Sequence, residues 1–264
     1  MPRFPGHPER RPVVVAGASS GIGAATAVML GAAGYPVALG ARRVQKSQEF
    51  ADQINEAGGE AVALPLDITD ADSIDEFVTK AEAQLGPIEV AVSGAGDLEP
   101  GRSFEVSTDD FAAQVNIHLF GAQRLYRRLI PEMIGRRRGD FVFISSDVVV
   151  SPRPQMGAYV AAKCGVEGLA EVARMELEGT GVRASLVRPG QVMTGMGMNF
   201  SPEVAESVLN DWIPWGLARH GNFLKPVHLA TAVTTIVSMP RGAHMRLVEV
   251  EAEAPVARTE GDSK

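Results

Sequence analysis

The chain has almost no cysteine: a single residue, Cys164, among 264. No intrachain disulfide can form, so a small stapled framework is excluded and a reducing, cytoplasmic setting is expected. Excess positive charge is missing too. The formal net charge is −7, which argues against nucleic acid as the main partner. The opening MPRFPGHPERRP has no apolar core of the secretory-signal kind. From Pro12 to Ala41 there is no charged side chain, a run long enough to raise a membrane span. It consists largely of Gly, Ala and Ser and is interrupted at Gly34 and Pro36. Strand, turn and helix fit it better, and no membrane partner is expected. No charge block or Pro/Ser-rich linker divides the chain, no repeat is visible, and no metal-ligand cluster stands out.

What is present is an alternation. Hydrophobic residues make up 45% and charged residues 22%, as in ordinary globular proteins. Short apolar runs, β-branched at 13–17, read as strands at 13–17, 36–41, 61–67, 88–96, 141–145, 182–190 and 245–254. Helical stretches lie between them: 24–34, 44–58, 69–85, 108–134, 157–179, a short piece at 202–209, and 228–239. Alternation of this kind predicts parallel βαβ units with right-handed crossovers. The expected fold class is α/β: one doubly wound parallel sheet of about seven strands with helices on both faces. The whole chain, 1–264, is read as one domain. Residues 1–11 and the tail from 257 are expected to be flexible, and 191–224 to pass over the strand ends.

Gly17, Gly21 and Gly23 form G-x-x-x-G-x-G between the first strand and its helix. Missing Cβ atoms permit a tight turn and close approach of a pyrophosphate, and the helix N-terminus offers N–H groups and partial positive charge. The second strand lacks the carboxylate that binds a ribose 2′-hydroxyl in NAD sites. It runs instead into Arg42 and Arg43, whose planar forks suit a 2′-phosphate, with Ser19 adding a hydroxyl. NADP(H) is therefore expected over NAD(H).

A second constellation spans 141–168. Tyr159 and Lys163 stand four apart, so on a helix they share a face. Ser146 lies thirteen residues before the tyrosine, where strand gives way to loop. A hydroxyl, a phenol and an ammonium are thus expected at one edge of the sheet.

Together these motifs resemble the short-chain dehydrogenase/reductase family over about Pro12 to Ala254. They are GASSGIG at 17–23, LPLD at 64–67, SGAG at 93–96, VNIHLFG at 115–121, ISS at 144–146, YVAAK at 159–163 and RPGQVMT at 188–194. The resemblance implies a Rossmann domain that interconverts a carbonyl and an alcohol by hydride transfer. Tyr159 would be the general acid/base, with Lys163 lowering its pKa and holding the cofactor ribose. Ser146 would donate to the substrate oxygen, and Asn116 would hold a water leading to bulk solvent. Ser20 and Ile22 belong to the glycine loop. Asp67 and Ile68 would flank the adenine, Ala95 and Gly96 the end of strand four. Pro189, Gly190, Val192 and Thr194 would lie beside the nicotinamide. A homodimer or homotetramer is also implied. Two departures stand out: Ala16 where the family has threonine, and Ser93-Gly94 where it has two asparagines. A bridging interaction between those strand ends is expected to be lost from both sides.

Residues 191–224 match the family's substrate loop. Met193, Met196, Met198, Phe200, Trp212, Ile213 and Trp215 make it apolar. It reads equally as a lid over an apolar pocket or as packing on a neighbouring subunit. Val148, Met196, Trp212 and Trp215 are the expected substrate contacts, beside Ser146 and Tyr159, for a small-molecule carbonyl or alcohol. Arg219 and His220 read as surface groups, His118 as packed or solvated, and Cys164 as a small core residue. A dinucleotide-binding regulator or scaffold without catalysis is the alternative, and a methyltransferase on a related sheet leaves the Ser–Tyr–Lys set unexplained.

Overall fold

The structure is a computed structural model that describes Phe4 and residues 6–196, 200–217 and 220–256. Met198, Arg219 and the tail from 257 fall outside the described residues. Seven strands form one parallel sheet: β1 (Val13–Ala16), β2 (Val37–Ala41), β3 (Ala61–Pro65), β4 (Val90–Ser93), β5 (Gly139–Ile144), β6 (Val182–Pro189) and β7 (Leu247–Val250). Their spatial order is β3-β2-β1-β4-β5-β6-β7. β1, β2, β4 and β5 are buried at every residue, which is why they read as continuous apolar runs rather than alternating ones. β7, at the edge, alternates exposed and half-buried residues.

The helices are α1 (Gly21–Ala32), α2 (Val44–Glu56), α3 (Ala71–Leu85), α4 (Thr108–Val115), α5 (Gly121–Gly135), α6 (Gly157–Glu176), α7 (Pro202–Trp212) and α8 (Pro226–Ser238). They cover both faces. One core layer joins Phe77, Leu125, Phe141 and Phe143. The other joins Leu30, Leu39, Val92, Leu229 and Val233. Each fully buried side chain of this size stabilises by about 1.5–3 kcal/mol. Asp70 caps α3 by accepting from the Asp72 N–H at 3.0 Å, which satisfies one orphan donor of the first turn.

The strands end earlier than the sequence pattern suggests. β1 stops before Gly17, whose φ is +85°. The last pair of the final strand is Pro189 with Val250, closed by the Gly190 N–H donating to the Val250 carbonyl at 2.8 Å. The helix expected over 108–134 is interrupted by a π-helical turn at Asn116–Phe120.

At the N-terminal rim of the sheet, Asp140 is 1% exposed. Both its oxygens are taken, one by the Arg11 guanidinium and one by Arg183 Nε at 2.6 Å. Arg11 also donates to the Val237 carbonyl at 2.6 Å. This clamp fastens the start of β1, β5 and β6 to the end of α8.

Candidate active site

The strand order reverses between β1 and β4, the place where open α/β sheets bind ligands. There the two strand ends approach directly. A Cβ on Gly17 would lie 2.7 Å from the Ala95 Cα, and the Gly94 N–H donates to the Ala16 carbonyl at 3.1 Å. Backbone thus fills the space at the two residues that depart from the family pattern. α1 begins here. Its cap residue, Ser20, makes no side-chain capping bond, and its first turn, with Ile22 and Gly23, holds no acidic side chain. The first-turn N–H groups are left for an anion.

Arg43 reaches over this turn. Its Nη2 donates to Ser19 Oγ and Ser20 Oγ, both at 3.1 Å. Arg42 is exposed, and its charge bears on Asp67. The Asp67 carboxyl is held below the usual range, chiefly by the Thr69 hydroxyl and N–H that donate to it and less by Arg42. Ile68 is buried, its side chain 2.7 Å from where Gly121 would carry a Cβ. Beyond β6, the Gly190 N–H donates to Val250 at 2.8 Å and Val192 bridges to Leu224. Thr194 comes within 3.2 Å of the position a Gly21 Cβ would take. The expected cofactor-binding residues therefore line one rim. Glycine turn, uncapped helix start and Arg43 with two hydroxyls fit a phosphorylated dinucleotide.

Ser146, Tyr159 and Lys163 lie around the end of β5. Ser146, in extended backbone, caps the short 3₁₀ turn Asp147–Val149. Tyr159 and Lys163 lie on the buried face of α6, and the Ser146 hydroxyl donates to Asp147 Oδ1 at 3.2 Å while its polarity acts to lower the phenol pKa. The Lys163 ammonium donates to the Ile144 carbonyl at 2.8 Å and sits 5.5 Å from the Tyr159 ring centroid. Burial pushes the phenol up to about 12, against the Ser146 hydroxyl, with Asp147 raising it and Arg153 lowering it. Burial likewise brings Lys163 down to about 8. Desolvation dominates the phenol, Lys163 is not among the groups that shift it, and the lysine faces a carbonyl.

The Asn116 side chain is hydrogen-bonded to Arg124 and makes no direct hydrogen bond to Tyr159 or Lys163. Asn116 opens the π turn, and its Oδ1 accepts from Arg124 Nη1 at 2.8 Å. His118 is brought to Tyr159. Residues two apart on a helix point to different sides. His118 is 3% exposed, meets Tyr159 edge-on with centroids 5.0 Å apart, and has Nε2 2.6 Å from the Asp97 carbonyl. A sequence signal existed: the buried stripe Met133, Leu129, Leu125, Ala122 continues back by helical steps to His118.

Beside Tyr159, Val148, Met156, Leu98, Met196 and Trp212 form a small apolar cluster. Trp212 Nε1 donates to the Pro154 carbonyl at 2.9 Å, and Arg153, ion-paired with Asp147, stacks on the indole. Trp215 is not part of this wall. It is 75% exposed, because α7 ends at Trp212 and a 3₁₀ turn carries Trp215 outward. Cys164 is exposed rather than in the core, since α6 buries the stripe Tyr159, Lys163, Val166 and Ala170. Behind the site, Glu167 accepts from Ser145 Oγ at 2.7 Å and from Arg188 at 2.8 Å, tying α6 to β5 and β6. Among the described residues no helix is long and apolar enough to cross a membrane.

Comparison with known proteins agrees with this geometry. The chain is 30% identical over 239 residues to glycine betaine reductase ATRR of Emericella nidulans, covering 90% of this chain but only 18% of that protein. It is 29% identical over 230 residues to the 3-oxoacyl-(acyl-carrier-protein) reductase FabG of Thermotoga maritima, covering 87% of this chain and 91% of the relative. An alcohol dehydrogenase from Thermococcus sibiricus, solved with 5-hydroxy-NADP, superimposes with TM-score 0.80 at 28% identity, covering 94% of this chain and 99% of the other. The sequence profile for short chain dehydrogenases matches residues 11–205. The crevice between β1 and β4, the Ser–Tyr–Lys cluster and the profile coincide in one chain, which belongs to the short chain dehydrogenase family.

Proposed function

We propose that the protein is an NADP(H)-dependent oxidoreductase that interconverts a carbonyl and an alcohol on a small molecule with an apolar body. The observation that carries this reading is the convergence of Ser146, Tyr159 and Lys163 beside the crevice between β1 and β4. The α1 start and the Arg43–Ser19–Ser20 group would hold the dinucleotide's phosphates. The solved relative with 5-hydroxy-NADP supports the same choice. When bound, the nicotinamide supplies or accepts the hydride.

The chain's own groups handle the proton. With its pKa raised to about 12 by burial, Tyr159 enters a reduction as the neutral phenol and donates to the carbonyl oxygen. Ser146 donates to the same oxygen as negative charge develops there. The Lys163 ammonium, charged below about pH 8, stabilises the phenolate left behind. Val148, Met196 and Trp212 exclude water from that side.

The exposed apolar side chains Phe120, Val172 and Met175 suit burial between copies in a dimer or tetramer. The reaction is tested with NADPH, NADH and a panel of aldehydes and ketones. Wild type is expected to turn over with NADPH. Tyr159→Phe is expected to lose roughly 10²–10⁴-fold in kcat while binding NADPH unchanged; full activity in that variant rules the mechanism out.

A further inference from the structure

We infer that Arg153 is a positioning residue of the reaction centre: its guanidinium fork occupies the Asp147 carboxylate, the group to which the Ser146 hydroxyl donates, and so leaves the serine hydrogen free to pass to the substrate oxygen. The inference deepens the proposed carbonyl reduction and rests on it.

The conflict lies between neighbours in sequence. Ser146 has one O–H to aim at a substrate oxygen, yet the next side chain is a carboxylate. The Ser146 hydroxyl donates to Asp147 Oδ1. A hydroxyl bound to a free carboxylate closes to about 2.5–2.7 Å. Here the separation is 3.2 Å. The same Oδ1 accepts from Arg153 Nη1 at 3.0 Å, and Oδ2 accepts from Arg153 Nη2. The fork thus takes both oxygens with charge-assisted bonds. The serine is left with a long, weak share of one of them. The two charges also offset one another at Tyr159, where burial dominates, Asp147 raises the pKa and Arg153 lowers it.

Arg153 is built into this place. It is 9% exposed, and its Nε is buried with no hydrogen-bond partner among the described residues. Its guanidinium stacks on the Trp212 indole, 5.5 Å from the ring centroid. The indole is pinned in turn, because Trp212 Nε1 donates to the Pro154 carbonyl at 2.9 Å. Gln155, at φ +63°, donates to Asp211 Oδ2 at 2.8 Å and to Ser207 Oγ at 3.1 Å. The loop that carries Arg153 is therefore tied to α7 at several points. The guanidinium is held between the carboxylate beside Ser146 and the helix that walls the Tyr159 pocket.

The test is a double-mutant cycle on carbonyl reduction with NADPH: wild type, Arg153→Leu, Ser146→Ala and the double variant. In Arg153→Leu the unpaired carboxylate keeps the serine hydrogen, and kcat is expected to fall roughly 10–100-fold with NADPH affinity unchanged. In the Ser146→Ala background the same substitution is expected to cost less than about twofold, because two residues acting through one group are not additive. Equal losses in both backgrounds, or no loss in the first, overturn the inference. Crystal structures of wild type and Arg153→Leu read the cause without turnover. The separation of Ser146 Oγ from Asp147 Oδ1 is expected to shorten from 3.2 Å to about 2.7 Å, and an unchanged separation overturns the inference. If Arg153→Leu does not fold, Arg153→Lys takes its place in both experiments. Lysine keeps the charge and loses the planar fork, so a smaller change of the same sign is expected, and no change overturns the inference. If wild type reduces no carbonyl, the proposed reaction fails, while the two structures still decide the role of Arg153.

Discussion

The His118 imidazole and the Tyr159 phenol ring meet edge to face, at 82° with centroids 5.0 Å apart. The contact packs the phenol ring against a segment where the helix gains about one residue per turn. π turns of this kind recur at functional sites. Here the turn sets which of its residues faces α6.

Gly96 leaves room for that contact. In Gly96→Ala the new methyl carbon would stand 2.4 Å from His118 Cε1 and 2.8 Å from Nδ1, so the ring must move. A misplacement of about 1 Å at a reaction centre costs on the order of 10²-fold. Steady-state kinetics are expected to show a kcat loss of that order, with NADPH affinity within a few-fold of wild type. Unaltered kcat means the ring's position is immaterial.

Arg43 is expected to choose the cofactor. Its Nη2 already bridges Ser19 and Ser20, and hydrogen bonds to a charged group contribute about 1.5–3 kcal/mol. Arg43→Glu is expected to weaken NADPH binding by roughly 10–100-fold and leave NADH affinity equal or better. Fluorescence titration with both nucleotides reads the ratio; parallel weakening of the two places the 2′-phosphate elsewhere.

Asp140 holds the opposite rim. Asp140→Asn leaves the Arg11 and Arg183 guanidinium groups buried, at 6% and 9% exposure, without their carboxylate. Breaking a buried pair in this way costs about 3–5 kcal/mol, and the Tm is expected to drop by about 10 °C. Activity per folded molecule stays the same. Denaturant melts at several temperatures check it, and an unchanged midpoint shows the clamp to be dispensable.

Acid is expected to act through His118. Its folded pKa of about 3 lies below the ordinary 6.5. The unfolded chain therefore takes up a proton first as pH falls. The sign is fixed: this contribution to stability is intact above 6.5 and is lost progressively down to about 3. The slope is about 1.4 kcal/mol per pH unit. His118→Asn is expected to flatten the stability curve in that window, measured by urea melts at each pH. A slope identical to wild type shows that the imidazole is not desolvated as described.

The frame was legible because parallel strands buried on both faces announce themselves as short, nearly uncharged apolar runs, and β1, β2, β4 and most of β5 are such runs. The Tyr159–Lys163 pair was legible because a helix repeats every 3.6 residues. The π turn was not, since its extra residue is imposed by packing and leaves no compositional mark. The family motif marks Asn116, while the apolar stripe of α5 extends back to His118, which packs on Tyr159. Trp212 and Trp215 illustrate the same limit. In a continuous helix they would share a face; the switch to a 3₁₀ turn after Trp212 separates a pocket wall from an exposed ring. The effect of burial on Tyr159 likewise required the packed pocket, because sequence supplies the charges around a group but not its desolvation.

The rim clamp also constrains how the chain comes to be folded. Arg11 is made just before β1, yet its carbonyl partner, Val237, is 226 positions later. Asp140 and Arg183 arrive in between. During vectorial synthesis, β1 waits without its final surroundings until α8 has been made. Contacts this remote in sequence slow folding, since loop closure precedes the reward of contact. A nascent chain arrested after β6 would hold a complete Ser–Tyr–Lys set on a sheet with an unfinished floor, a natural substrate for chaperones and quality-control proteases.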